Sequence, residues 1–250
     1  MDFNLKGKIA LVTGSSKGIG KIIAKTLYNE GCTVVLNGRE IHSLKETSKA
    51  LGNSTFFAGD VTDLKICNNL MEFIIKTHKK LDILICNVGN GNSLKPGKED
   101  PTEIQKMLSL NLFSAINPIY ASLNLLKKSK GNVVCISSIV GKESFGAPIG
   151  YSLAKSALNT YVMGTSKSLA KHGIRINTVS PGNIIFKDSV WDFFSKKNPS
   201  KVKKTLNNVA LKRLGTPEEI ASMVVFLVSS RSSFTTGANI IIDGGQTRSV

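Results

Sequence analysis

The chain has 250 residues, 41% hydrophobic and 20% charged, which is enough apolar material for a sizeable core and argues against disorder. Its 33 Lys and Arg outnumber 17 Asp and Glu, for a formal charge of +16, but no helix-turn-helix, zinc-finger or RNA-binding signature accompanies them, so nucleic acid is not expected as a partner. The first apolar run, 9–12, is too short for a signal-peptide core, and the longest, 223–228, falls far below a bilayer span, so a cytoplasmic protein without membrane contact is expected.

Taken in chain order, apolar strand-like runs fall at 8–13, 33–36, 55–58, 83–86, 132–136, 175–179 and 239–242. Helical periods fill the gaps at 19–29, 41–50, 63–79, about 102–127, 151–171 and 217–229. Asp63 and the run Thr216-Pro217-Glu218-Glu219 read as helix starts, and Gly31 and Gly173 as C-terminal caps. The near-continuous Val, Ile and Leu content of the strands predicts burial on both faces, as in a parallel sheet. The expectation is a single α/β domain over 1–250, a Rossmann-like doubly wound parallel sheet of about seven strands with helices on both faces. The stretch 186–208, the least patterned, reads as a lid over the site, and its lysines, Lys196 to Lys204, are its densest charge. The cysteines at 32, 67, 86 and 135 form no close pair, which argues against a metal site and fits a reducing compartment.

Directly after the first strand comes Thr13-Gly14-Ser15-Ser16-Lys17-Gly18-Ile19-Gly20, then a helix. Glycines here permit a tight turn and close approach of a pyrophosphate to the backbone, and the helix N-terminus offers free N–H groups to the phosphates. A dinucleotide is therefore expected on Gly14, Ser16, Lys17, Gly18, Ile19 and Gly20. Where NAD enzymes carry an acid after the second strand, this chain has Gly38 followed by Arg39. With Lys17, Arg39 supplies a second cation for a ribose 2′-phosphate, so NADP(H) is expected over NAD(H).

The second constellation is Ser138 followed by Tyr151-Ser-Leu-Ala-Lys155. Tyr151 and Lys155, four apart, share one helix face, and Ser138 stands just past the fifth strand, at a carboxyl end where open parallel sheets bind ligands. A free tyrosine has a pKa of about 10, and a neighbouring ammonium together with the nicotinamide charge is expected to lower it.

These motifs together resemble the short-chain dehydrogenase/reductase family, in particular its 3-oxoacyl-(acyl-carrier-protein) reductase-like members, over essentially the whole chain. The resemblance implies that Tyr151 is the proton donor, that Lys155 binds the nicotinamide ribose and lowers the tyrosine pKa, that Ser138 polarises the carbonyl and that Asn111 holds a water linked to Lys155. It also implies cofactor contacts at Asp60 and Val61 after the third strand, Asn87 and Gly89 after the fourth, and Pro181, Gly182 and Ile184 after the sixth. Two positions depart from the family pattern. Cys86 replaces an asparagine that braces the central strands, and Phe186 stands where threonine is favoured. Relatives are often homotetramers, so a homotetramer or homodimer is expected.

The resemblance implies a small carbonyl or alcohol as substrate. Phe145, Ile149, Phe186, Trp191, Phe193 and Phe194 fall in the segments expected to wall the pocket. The lysine-rich lid favours a 3-oxoacyl thioester on an acidic acyl carrier protein. The asparagine- and glycine-rich loop 87–92 points instead to a sugar or another small metabolite, and the net charge alone to a non-catalytic cofactor- or nucleic-acid-binding protein.

Overall fold

A computed structural model describes residues 2–249. Seven strands, β1 (Ile9–Val12), β2 (Thr33–Gly38), β3 (Phe56–Ala58), β4 (Ile83–Cys86), β5 (Asn132–Ile136), β6 (Arg175–Pro181) and β7 (Asn239–Ile242), form one sheet in the order β3-β2-β1-β4-β5-β6-β7. Every pairing is parallel. The crossovers are helices: α1 (Gly18–Asn29), α2 (Ile41–Ala50), α3 (Leu64–His78), α4 (Pro101–Leu108) continued by α5 (Ser114–Ser129), α6 (Ile149–Ala170), and the trio α7 (Val190–Lys197), α8 (Pro199–Asn207) and α9 (Pro217–Val228). The architecture is the doubly wound Rossmann-like sheet that the alternating pattern predicts.

Alternation along the strands divides the core in two. Ala10 and Val12 of β1 face α1 and α9 together with Ile23, Leu27, Ile220 and Val224. Ile9 and Leu11 face the other way, with Leu70, Ile74, Ile119, Leu126, Leu158 and Val162 from α3, α5 and α6. Leu11, Ile23, Leu27, Leu70 and Ile74 are fully buried, and each such side chain contributes roughly 1.5–3 kcal/mol by leaving water. A strand buried on both faces cannot show a polar alternation, which is why its sequence reads as a continuous apolar run.

The helix ends follow their capping chemistry. Asp63 accepts from the Lys65 N–H at 2.7 Å to open α3, and Thr216 with Glu219 forms a capping box on α9, whose first residue is Pro217. Gly31 and Gly173, with φ of +84° and +76°, follow α1 and α6. Two expectations are revised. The helix foreseen at about 102–127 is interrupted by a π-helical turn, Ser109–Phe113, and 186–208 holds two short helices, α7 and α8, instead of irregular chain. Helices α7 and α8 escaped notice because each is short, at eight and nine residues, and none of their residues is buried.

The order of the strands reverses on either side of β1, where β2 and β4 both lie against it. The connections leaving β1 and β4 therefore depart to opposite faces and open a crevice at the carboxyl ends, the usual ligand position in such sheets.

Candidate active site

The glycine-rich turn leaves β1 at that crevice. Lys17 occupies the N-cap of α1 without a side-chain hydrogen bond, so the first N–H groups of the helix are not taken by a cap. Gly18 has φ of +57°, and a Cβ there would lie 2.8 Å from the Phe186 ring, so this turn tolerates only glycine. Asn87, just past β4, clamps the turn from below: its amide donates to the carbonyls of Thr13 and Gly14 at 3.1 and 3.0 Å, and its N–H donates to Thr13 Oγ1 at 3.0 Å. Thr13, wholly buried, is a site residue that sequence reading did not single out, although its place in the turn was visible.

At the neighbouring strand ends, Ser16 Oγ lies 3.3 Å from where a Gly38 side chain would begin, and Arg39 is exposed. Arg39 pairs with Asp60 at 3.5 Å. Asp60 also accepts from the Thr62 N–H and hydroxyl at 3.0 and 2.8 Å. Burial pushes its carboxyl up, but the Thr62 hydrogen bonds and the Arg39 charge outweigh burial and hold it below the usual carboxylate range. Val61 beside it is buried, and Asn117 of α5 donates to Thr62 O at 2.8 Å, which fixes this loop to the body.

The residues expected to carry chemistry come together on the other side of the crevice. Ser138 caps a 3-10 turn, Ile139–Gly141, immediately after β5, and Tyr151 stands in the first turn of α6, where the Ser138 hydroxyl acts to lower its pKa. Lys155, one turn on, is buried; its ammonium donates to Ile136 O at 2.8 Å and lies 5.8 Å from the centroid of the Tyr151 ring. Asn111 is buried at the centre of the π-helical turn, a device often found at functional sites. Its Oδ1 accepts from Asn90 N at 2.8 Å, and its amide donates to Asn90 O and Met107 O at 3.1 and 3.2 Å. Gly89 is the meeting point: a Cβ there would lie 2.9 Å from Asn111 Oδ1 and 3.0 Å from Lys155 Nζ. Gly91, within the asparagine- and glycine-rich loop 87–92, packs against the Tyr151 ring.

The electrostatics correct one expectation. Within this chain, burial raises the Tyr151 pKa above its ordinary value, opposed by the Ser138 hydroxyl and not by Lys155. Burial also lowers Lys155 to about 8, so the lysine is itself close to losing its charge near neutrality. The low dielectric that the site needs acts first against both ionised forms.

Past β6, Pro181 ends the strand and Gly182 donates to Ile242 O at 2.9 Å. Ile184 bridges Gly215, but the ladder bonds are made by Ile185 N to Gly215 O and by Gly215 N to Asn183 O, both 2.9 Å. The Ile184 N–H and C=O take no part in them and are turned away from that ladder. Of the predicted pocket wall, Trp191 and Phe193 both pack edge-on to Phe194, at 5.9 and 5.7 Å, while Phe186 reaches back to the phosphate turn. Cys86 lies opposite Cys135 across β4 and β5, and its thiol donates to Ala115 O at 3.7 Å, so the bracing runs from the strand to α5.

The residues present fit a dinucleotide: an uncapped helix N-terminus, a glycine at the close approach, and a free N–H and C=O at Ile184. No group of His, Cys, Asp and Glu suited to a metal ion occurs among the described residues, and no described helix is long and apolar enough to cross a membrane.

Comparison with known proteins agrees with this geometry. A family model described as enoyl-(acyl carrier protein) reductase matches residues 14–247. A 3-oxoacyl-[acyl-carrier-protein] reductase of Vibrio harveyi is 34% identical over 246 residues, covering 97% of this chain and 98% of that protein. The L-sorbose reductase of Gluconobacter frateurii, solved with NADPH and L-sorbose, superposes with a TM-score of 0.92 at 25% identity over 100% of both chains. A 7α-hydroxysteroid dehydrogenase solved with NADH and a 7-oxo bile acid superposes at 0.88, 28% identical, over 98% of this chain and 96% of that one. By motif, fold and relatedness, the chain belongs to the short-chain dehydrogenase/reductase family of nicotinamide-dependent oxidoreductases acting on CH–OH and C=O groups.

Proposed function

We propose that this protein is an NADPH-dependent reductase of 3-oxoacyl thioesters. The observation that carries carbonyl reduction is the placing of Ser138, at the carboxyl end of β5, and Tyr151, in the first turn of α6, on one side of the crevice, with buried Lys155 one helical turn along. A carbonyl oxygen placed between the two hydroxyls accepts from both. Ser138 orients and polarises it, and Tyr151, held in its neutral form by burial, delivers the proton. Lys155 spends one of its three hydrogens on Ile136 O, which leaves two for ribose hydroxyls. Its charge, when fixed there, offsets the tyrosinate formed as the proton leaves. Asn111 holds the 90-loop against this group through two hydrogen bonds to Asn90, which keeps Gly89 and Gly91 close to Lys155 and Tyr151. The dinucleotide, when bound, supplies the hydride. Its phosphates belong on the α1 turn, its carboxamide on Ile184, and its adenosine between Arg39 and Asp60–Val61.

The choice of NADPH rests on Gly38 and Arg39, which put a glycine where an acid is usual and a cation directly after it; the acid that follows, Glu40, is the N-cap of α2. The choice of thioester rests on the segment after β6, proposed as the lid of a single-domain enzyme. Lys187, Lys197, Lys203 and Lys204 are exposed there around half-buried Trp191 and Phe194, a surface that suits an acyl chain tethered to an acidic carrier protein. Exposed Phe113, Tyr120, Leu153 and Met163, along α5, α6 and the π-helical turn, suit a homotetramer or homodimer.

The test follows NADPH oxidation with acetoacetyl thioesters, simple ketones and sugars in parallel. Turnover of the thioester, with sugars at background, is the expected result. Turnover of sugars alone would replace the thioester reading with that of a sugar or small-metabolite reductase, for which the polar loop 87–92 is the motive. Binding of NADPH without turnover of any carbonyl would point to a regulatory binding protein.

A further inference from the structure

The ring of Phe186 rests on the phosphate turn. Its Cε2 and Cζ lie 2.8 and 2.9 Å from the position that a Gly18 Cβ would take, which is the face left bare by the glycine for close approach of a pyrophosphate. The same residue is the root of the lid. Phe186 N donates to Ser189 Oγ at 3.2 Å, Ser189 N donates back to Phe186 O at 3.0 Å, and Ser189 Oγ also accepts from Asp192 N at 3.0 Å as the N-cap of α7. Ser189 is buried and Asp188 has φ of +64°, so 186–189 is a tight turn that moves with the helix it starts. Beyond it, no residue of α7 or α8 is buried. The lid is thus joined to the body near this end by Ile184 at the Gly215 bridge, by Ser189 and by the Phe186 ring.

We propose that Phe186 is a latch between the cofactor turn and the lid: its ring holds the face of Gly18, a dinucleotide displaces it, and the 186–189 turn carries that displacement into α7. This rests on the dinucleotide reading of the turn. A ring that must first leave lowers the apparent affinity by the fraction of molecules in which it has left, so removing the ring tightens binding.

The chain contains one tryptophan, Trp191, in the first turn of α7, and its emission reports the lid directly. The experiment titrates NADPH, and separately NADH, into the native protein, Phe186→Ala and Phe186→Thr, reading affinity by calorimetry and lid position by Trp191 emission. The expected result is that both variants bind about 3- to 10-fold more tightly, as for a competent fraction of roughly 10–30% in the native protein. Before any dinucleotide is added, their Trp191 emission should already be shifted toward the native bound value. Melting curves check that they fold. If they do not, Phe186→Leu, which keeps apolar packing but withdraws the planar ring, takes their place. Equal or weaker binding, or an unshifted starting emission, overturns the latch while leaving the dinucleotide reading intact. If neither dinucleotide binds to the native protein or to any variant, the dinucleotide reading itself fails and the latch fails with it.

Discussion

The Arg39 guanidinium stands 3.5 Å from the Asp60 carboxylate, joining the loops after β2 and β3 at the surface. Their side chains are 71% and 40% exposed, so the pair contributes little to stability and Arg39 is free to leave it for a stronger anion. We predict that Arg39→Ala weakens NADPH binding by about tenfold or more while NADH binding stays within about twofold. Calorimetric titration of both cofactors checks this. Equal losses for both would remove Arg39 from the 2′-phosphate site. Asp60→Asn, which frees Arg39 from its partner, is expected to leave NADPH binding unchanged or slightly tighter.

Tyr151→Phe removes the proposed proton donor and keeps the ring that Gly91 packs against. The expected loss in kcat is about 10²- to 10⁴-fold, with dinucleotide affinity and melting temperature nearly unchanged. Pre-steady-state and equilibrium binding measurements separate the two. Retained turnover would move the proton donor elsewhere.

Lys155 gives a pH dependence of defined sign. Its folded pKa of about 8 lies below its ordinary 10.5, so between those values the unfolded chain binds more protons than the folded one. Stability contributed at this site therefore rises from about pH 8 to pH 10.5, and below pH 8 the full cost of the buried charge is present. Lys155→Met should flatten this rise in denaturant midpoints measured against pH, and should itself be more stable than the native chain near neutrality. The same variant should abolish reduction. In the native protein, activity should fall as pH rises through about 8 in the cofactor-free enzyme's kcat/KM profile.

Gly89→Ala places a methyl group 2.9 Å from Asn111 Oδ1 and 3.0 Å from Lys155 Nζ. The lysine, at the end of a flexible chain, is the group that gives way. We expect a stability loss of about 1–3 kcal/mol and a fall in kcat of at least about tenfold, because Lys155 is pushed off Ile136 O. Unchanged kcat would show that the lysine position is less critical than proposed.

Glu219 closes the capping box of α9 and receives Arg213 at 2.6 and 2.9 Å. The Arg213 hydrogen bonds, then the Thr216 N–H, lower its carboxyl to about 2 from 4.5. A depressed carboxyl stabilises the fold above pH 4.5, and that stabilisation is lost as pH falls toward about 2. Glu219→Ala should cost about 1 kcal/mol at neutral pH, or a fall of about 2–4 °C in Tm, and less at pH 3. The pair is partly exposed, so salt should shrink the effect.

The alternation of apolar runs and helical periods made the sheet legible, because strands buried on both faces have no choice of residue type. The proposed catalytic set was legible for a different reason: Tyr151 and Lys155 must share a helix face, and Ser138 must end a strand. What the sequence hid depends on contacts between distant segments. The π-helical turn at Asn111 has no composition of its own and is held by Asn90, which comes 21 residues earlier. Helices α7 and α8 span only eight and nine residues and lack buried positions, so each offered too short a pattern to stand out. The effect of burial on Tyr151 and Lys155 was hidden, because the depth of both groups is visible only in three dimensions and acts against the charged form of each.

All four cysteines, Cys32, Cys67, Cys86 and Cys135, are buried, and burial raises Cys32 and Cys67 to about 12. A thiol that is neither accessible nor ionised does not react with maleimides or iodoacetamide at neutral pH. The native chain is therefore silent to alkylating dyes as long as it stays folded. A single cysteine introduced at exposed Ser195 would be labelled without competition, and the appearance of further labelled thiols would time unfolding of the core directly.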